Sequence, residues 1–190
     1  MNAFDPDDIM NVFNASRPLS RREVDELESM GIPPDALADP ILVVSSNVNF
    51  DGNRFEFEHH HHRYDEEGVH ALVFLVINPW DEAIDIVAWS PSLGKLATWL
   101  GRAWALGQET IWHPRLTDHG AMSVHRTPVG WLKARRRGLV LVRPAAAAHY
   151  LDDAGPFIPE DEAHGEELDQ ILTRPKQRIL IPSSQFKKAS

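Results

Sequence analysis

The chain is 190 residues long, 43% hydrophobic and 25% charged, with a formal net charge of −9, a balance that fits a soluble globular protein and excludes a disordered one. It has no cysteine, which excludes disulfides, cysteine-ligated zinc and thiol catalysis. The longest apolar runs, such as residues 71–77, are strand-sized, and the acidic start (Asp5, Asp7, Asp8) is unlike a secretory signal, so a cytoplasmic protein with no membrane contact is expected.

In chain order, residues 1–19 show no sustained periodicity and read as a flexible arm. Ser20-Arg21-Arg22-Glu23 is a capping-box pattern that opens a short amphipathic helix carrying Val24, Leu27 and Met30, closed by Gly31 and Pro33-Pro34. Ile41 to Val44 is a short apolar run, Asp51-Gly52-Asn53 a turn, and Arg54 to Glu58 alternates with period two. Val69 to Ile77 reads as a buried strand, Asn78 to Asp81 as a turn and Ala83 to Trp89 as the partner strand. Leu93, Leu96, Leu100, Ala103 and Trp104 suggest a helix ending before Gly107. Thr127-Pro128 opens another helix, expected to run through the bases to Gly138. A strand over Leu139–Val142, an alanine-rich helix from Pro144, an acidic helix within Pro159–Leu172 and an edge strand at Ile179–Ile181 complete the list.

These elements predict an α+β fold: an antiparallel β-meander over residues 41–89, packed against helices from the C-terminal half. Residues 20–182 form the single domain in this reading, and residues 183–190 are a tail. Phe55, Val73, Leu75, Ile77, Ile86, Leu96, Leu100 and Leu141 are the expected core.

Charge is distributed unevenly. Residues 94–150 hold 9 bases against Glu109 and Asp118, whereas residues 1–93 hold 18 acids against 5 bases. Within the basic segment, Lys133, Arg135, Arg136 and Arg137 form a collar at a helix end, with Arg126 just before the helix. Cations complement a helix C-terminus, but four in five positions exceed that need and suit phosphate contact. Arg102, Arg115 and Arg143 would extend the collar, and Trp99, Trp104, Trp112 and Trp131 are either core or base-stacking residues. The competing account pairs these arginines with the chain's own acids or with a protein partner.

The run His59–His62 offers a second chemistry. On a continuing strand, Glu56, Glu58, His60 and His62 share one face and could ligate a divalent metal, the one cofactor the sequence raises. Consecutive histidines specify neither convergent geometry nor a second shell, and a solvated strand end explains them as well. No nucleophile elbow, phosphate-binding loop or dinucleotide fingerprint is present in the sequence.

Several blocks of the sequence, among them Asp85 to Pro91, Thr98 to Gly107, Arg126 to Leu132, Arg137 to Pro144 and Glu160 to Gly165, resemble an uncharacterised family encoded in phage-like regions of alphaproteobacterial genomes. The resemblance spans roughly residues 20–170 and implies a mobile-element context without supplying catalytic residues. The functional expectation is a non-enzymatic accessory protein contacting nucleic acid through Arg126, Lys133, Arg135, Arg136 and Arg137. The alternatives are a protein-interaction or self-associating assembly module without nucleic-acid affinity, and a metal-dependent enzyme using the histidine run.

Overall fold

The computed structural model describes residues 6–58, 68–112, 120–151 and 154–173. The chain enters through α1 (Pro6–Asn14) and a two-residue strand β1 (Arg17–Pro18). Helix α2 (Arg21–Ser29) begins on the capping box read from the sequence: Ser20 accepts from the Glu23 amide, and Glu23 reaches back to the Ser20 amide. A short α3 (Pro34–Ala38) leads into the strands β2 (Val44–Asp51), β3 (Arg54–Phe57), β4 (Val69–Ile77), β5 (Ala83–Ser90) and β6 (Lys95–Thr98).

These five strands close into a barrel in the order β2-β3-β6-β5-β4, with β4 returning to pair with β2. Neighbours are antiparallel except at the seam, where Arg54 of β3 meets Thr98 of β6 in parallel. β1 covers Val44 and Ser45, the part of β2 that β3 does not reach. Closure explains why β4 reads as an unbroken apolar run from Ala71 to Ile77. Ala71 and Val73 point into the barrel with Val48, Phe55, Phe57 and Ile86. The alternate residues Leu72, Phe74 and Val76 face outward onto Leu27, Leu37, Trp131 and Leu132. Both faces of the strand are therefore dry, and burying each phenylalanine contributes about 1.5–3 kcal/mol.

Beyond the barrel, β7 (Ala105–Leu106), β8 (Met122–His125), β9 (Leu139–Leu141) and β10 (Phe157–Ile158) form a second, mixed sheet in the order β10-β8-β9-β7. A 3₁₀ turn over Gln108–Trp112 follows β7. Helix α4 (Pro128–Lys133) joins β8 to β9, and α5 (Pro144–Tyr150) and α6 (Glu162–Leu172) follow β9 and β10. Trp104, Met122, Leu139, Ala147 and Leu151 make the core of this half.

The mixed α+β class is as read from the sequence, but four local readings change. The segment expected as a loose arm contains α1, whose Ile9 and Phe13, one turn apart, are buried against the barrel core. Two turns of helix are too short for periodicity to register. The sheet is not an open meander, because β6 supplies a fifth strand that joins β5 to β3. That strand lies where a helix over residues 93–104 was expected. Gly94, Gly101 and Gly107 each take a left-handed backbone (φ 61°, 69° and 73°), a spacing that breaks any helix. Finally, α4 stops at Lys133 because Arg135 and Arg136 also adopt positive φ (55° and 59°). Of the expected core, Phe55, Val73 and Ile86 are fully buried, while Leu75, Ile77, Leu96, Leu100 and Leu141 are partly so. The expected strand at 179–181 and the tail at 183–190 lie outside the described residues.

Candidate functional site

The collar after α4 is built on a left-handed turn. The Arg136 amide donates to the Trp131 carbonyl at 2.8 Å, and the turn then folds its side chain back under the helix. The Arg136 guanidinium lies over the Trp131 ring at 5.6 Å, and its Nε donates to the Ala36 carbonyl at 2.8 Å. Burial pushes its pKa down to about 10 against the attraction of Asp39 and Glu109. One nitrogen, Nη2, is buried with no hydrogen-bond partner among the described residues. Arg136 is thus an anchor tying α3 to α4, and with Arg136 tucked in, Arg135 and Arg137 are displayed at the surface.

Arg135 is two-thirds exposed and makes a long ion pair, 3.5 Å, with the half-exposed Asp35. Lys133 is exposed and passes Gly31, and neither it nor Arg137 has a side-chain ion pair among the described residues. Arg126 is engaged elsewhere: it donates to Asp161 at 2.6 Å and Glu167 at 3.2 Å, fastening α6 beside β8. This pairing, with the His164 amide, holds the Asp161 carboxyl below its ordinary range. His125 completes the junction, with Nε2 3.0 Å from the Arg137 carbonyl and Nδ1 3.4 Å from Glu160. The five cations named from the sequence therefore divide into two fasteners, Arg126 and Arg136, and three displayed charges. Arg143 donates to the Gly101 carbonyl, and Arg115 lies outside the described residues.

Arg135, Arg136 and Arg137 line a cleft of about 340 Å³ together with Asp39, Leu75–Ile77, Leu106–Gly107, Glu109 and Thr110. Across the Gln108–Trp112 turn and the end of β4 lies a second groove of about 320 Å³. Its walls carry Trp80, Trp104, Trp112 and Tyr150 with Arg102. Trp104 and Tyr150 are already stacked, their centroids 5.3 Å apart and planes 9° from parallel. The groove is placed by an internal clasp. The fully buried Asp85 carboxylate accepts from the amides of Ile86, Leu100, Arg102 and Ala103 at 2.7–2.8 Å, fixing the loop from which Arg102 and Trp104 project.

Of the four tryptophans weighed as stacking residues, Trp104 and Trp112 belong to this groove. Trp99 packs edge-on against Phe57, and Trp131 is core, its Nε1 donating to the Gly138 carbonyl. Trp80 and Tyr150 were missed. The signal was present: Trp80 sits on a turn, where a large apolar ring has no core to enter, and is 77% exposed.

Of the metal set, only Glu56 and Glu58 fall within the described residues. Glu58 accepts weakly from the Gly68 amide at 3.4 Å, Glu56 is exposed on β3, and His60 and His62 lie outside the described residues. Among the described residues no group of three or more His, Asp or Glu side chains is arranged to hold a metal ion. No helix among them is long and apolar enough to cross a membrane. Comparison with protein-family models, with curated proteins and with solved structures gives no match to the chain.

Proposed function

We propose that this protein is a non-enzymatic accessory factor, of a phage-like element, that contacts nucleic acid through Lys133, Arg135 and Arg137. The observation that carries the reading is the pinned left-handed turn. Arg136 is drawn inward, and the exposed cations beside it are held at the surface with, among the described residues, only one long ion pair to an acid of the chain. An exposed pair of this length contributes well under 1 kcal/mol, so a phosphate displaces it readily. Arg126 and Arg136 leave the interface in this refined reading, because their charge is engaged within the fold. The resemblance to a phage-encoded family supports the context.

The test is fluorescence anisotropy with labelled DNA and RNA across a salt series, comparing the parent with Lys133→Glu/Arg135→Glu/Arg137→Glu. Arg136 is kept so that the fold survives. Three phosphate contacts predict a slope of log affinity against log salt of about −2 to −3, and loss of binding in the variant at unchanged melting temperature. Equal affinity of variant and parent overturns the assignment. No binding at low salt, together with salt-sensitive self-association, overturns it in favour of an assembly module.

A further inference from the structure

The groove beyond the Gln108–Trp112 turn has a chemistry that the displayed cations do not use. Three of its rings are open to solvent, with Trp80 77%, Tyr150 50% and Trp112 47% exposed. Trp104, at 1%, is the floor against which Tyr150 is stacked. Large rings left at the surface forfeit burial that a soluble fold ordinarily takes, and clustering in a concave site marks a binding surface.

We propose that this groove stacks an unpaired base, so that the nucleic acid bound is single-stranded. The inference rests on the nucleic-acid reading above and narrows its substrate class. Three features favour a base over an apolar or proline-rich peptide segment. Tyr150, backed by the parallel ring of buried Trp104, offers a flat π-face rather than a ridged aliphatic pocket. Arg102 stands in the same wall, where a cation suits a phosphate or a base π-face. The Gln108–Trp112 turn lines both the groove and the arginine-lined cleft, and Asn78 of the groove directly follows Ile77 of the cleft. A strand whose phosphates follow the collar can thereby deliver a base across the turn.

The same geometry predicts weak sequence preference. Gln108 spends its side-chain oxygen on the Trp104 and Ala105 amides. Asn78 spends its oxygen on the Trp80 and Glu82 amides and its nitrogen on the Glu82 carboxylate. Neither amide keeps the paired donor and acceptor that bidentate reading of a base edge requires. Stacking is left as the main source of selectivity, and stacking tolerates all bases.

The experiment measures anisotropy of a labelled oligothymidylate and of a duplex of equal length, with the parent, Trp80→Ala, Trp80→Phe and the Lys133/Arg135/Arg137 charge-swap variant. Trp80 lies on an exposed turn, and a melting temperature for each variant checks folding. The parent is expected to prefer the single strand. Trp80→Ala is expected to weaken single-strand binding about 5- to 150-fold, the range set by about 1–3 kcal/mol of stacking per base, with the salt slope unchanged. Trp80→Phe should recover most of the loss. If Trp80→Ala binds the single strand like the parent while the charge swap abolishes binding, the groove assignment falls and the phosphate surface stands. If Trp80→Ala loses single-strand binding and the charge swap does not, the groove stands alone. A parent that binds no nucleic acid, but whose tryptophan emission shifts with a proline-rich peptide, overturns both.

Discussion

Replacing Asp85 tests whether the loop carrying Arg102 and Trp104 is held by one buried carboxylate. Both oxygens accept two amides each: Oδ1 from Ile86 and Leu100, Oδ2 from Arg102 and Ala103. A buried amide left without an acceptor costs about 1–3 kcal/mol. In Asp85→Ala the Ile86 and Ala103 amides stay buried, while water reaches Arg102, which gives a total loss of about 3–5 kcal/mol. Asp85→Asn discriminates more sharply, because its shape is preserved. Whichever way the amide turns, its NH₂ faces two donors, and the expected loss is about 2–4 kcal/mol. For a chain of this size that corresponds to a fall of about 5–15 °C in Tm. Urea unfolding at neutral pH, followed by tryptophan emission and by circular dichroism, gives the difference. An Asn variant within about 0.5 kcal/mol of the parent would refute the clasp.

Arg136→Ala should lose about 1–3 kcal/mol, since it removes both the ring contact and the bond to Ala36, whereas Arg137→Ala should stay within about 0.5 kcal/mol of the parent; thermal melts of the pair decide. Gly138→Ala should cost at least about 2 kcal/mol or prevent folding. The backbone there is left-handed (φ 87°), and a methyl group would collide with the Ser123 carbonyl. The Glu23 carboxyl is subject to burial, which alone would raise its pKa, but bonds from Arg17, Ser20 and His70 outweigh burial and hold it well below the ordinary carboxylate range. A depressed folded-state pKa gives stability that is present above the unfolded value near 4.5 and is lost as pH falls below it. Denaturant midpoints measured from pH 6 to pH 3 should therefore fall less steeply in Glu23→Gln than in the parent.

Local signals were read from the sequence where one residue type has one dominant use. The capping box at Ser20 and the Asn78–Asp81 turn follow from side chains bonding nearby backbone, and the turn at Asp51–Asn53 follows from Gly52, which takes a left-handed φ of 56°. Non-local closure was not legible. The parallel β3–β6 contact joins residues 54 and 98, and nothing in either tetrapeptide specifies the partner. The stripe from Leu93 to Trp104 has helical spacing by coincidence: Leu93 is exposed, Leu96, Leu100 and Ala103 pack against the barrel, Trp104 joins the core of the second sheet, and the glycines between them were the better guide. The basic collar was visible as composition, but which arginine points inward depends on Trp131 and Ala36, about a hundred residues apart. The aromatic groove draws on residues 80, 104, 112 and 150, a set assembled only by the fold.

Barrel closure also sets an order of events during synthesis. β2 to β5 can pair as soon as they emerge, yet the outer edges of β3 and β5 stay open until Lys95–Thr98 arrives between them. A nascent or truncated chain ending before that strand presents two unpaired backbones beside a dry interior, the arrangement most prone to sticking to its neighbours. The four residues of β6 thus act as a fastener whose late arrival turns an adhesive sheet into a particle that tolerates crowding.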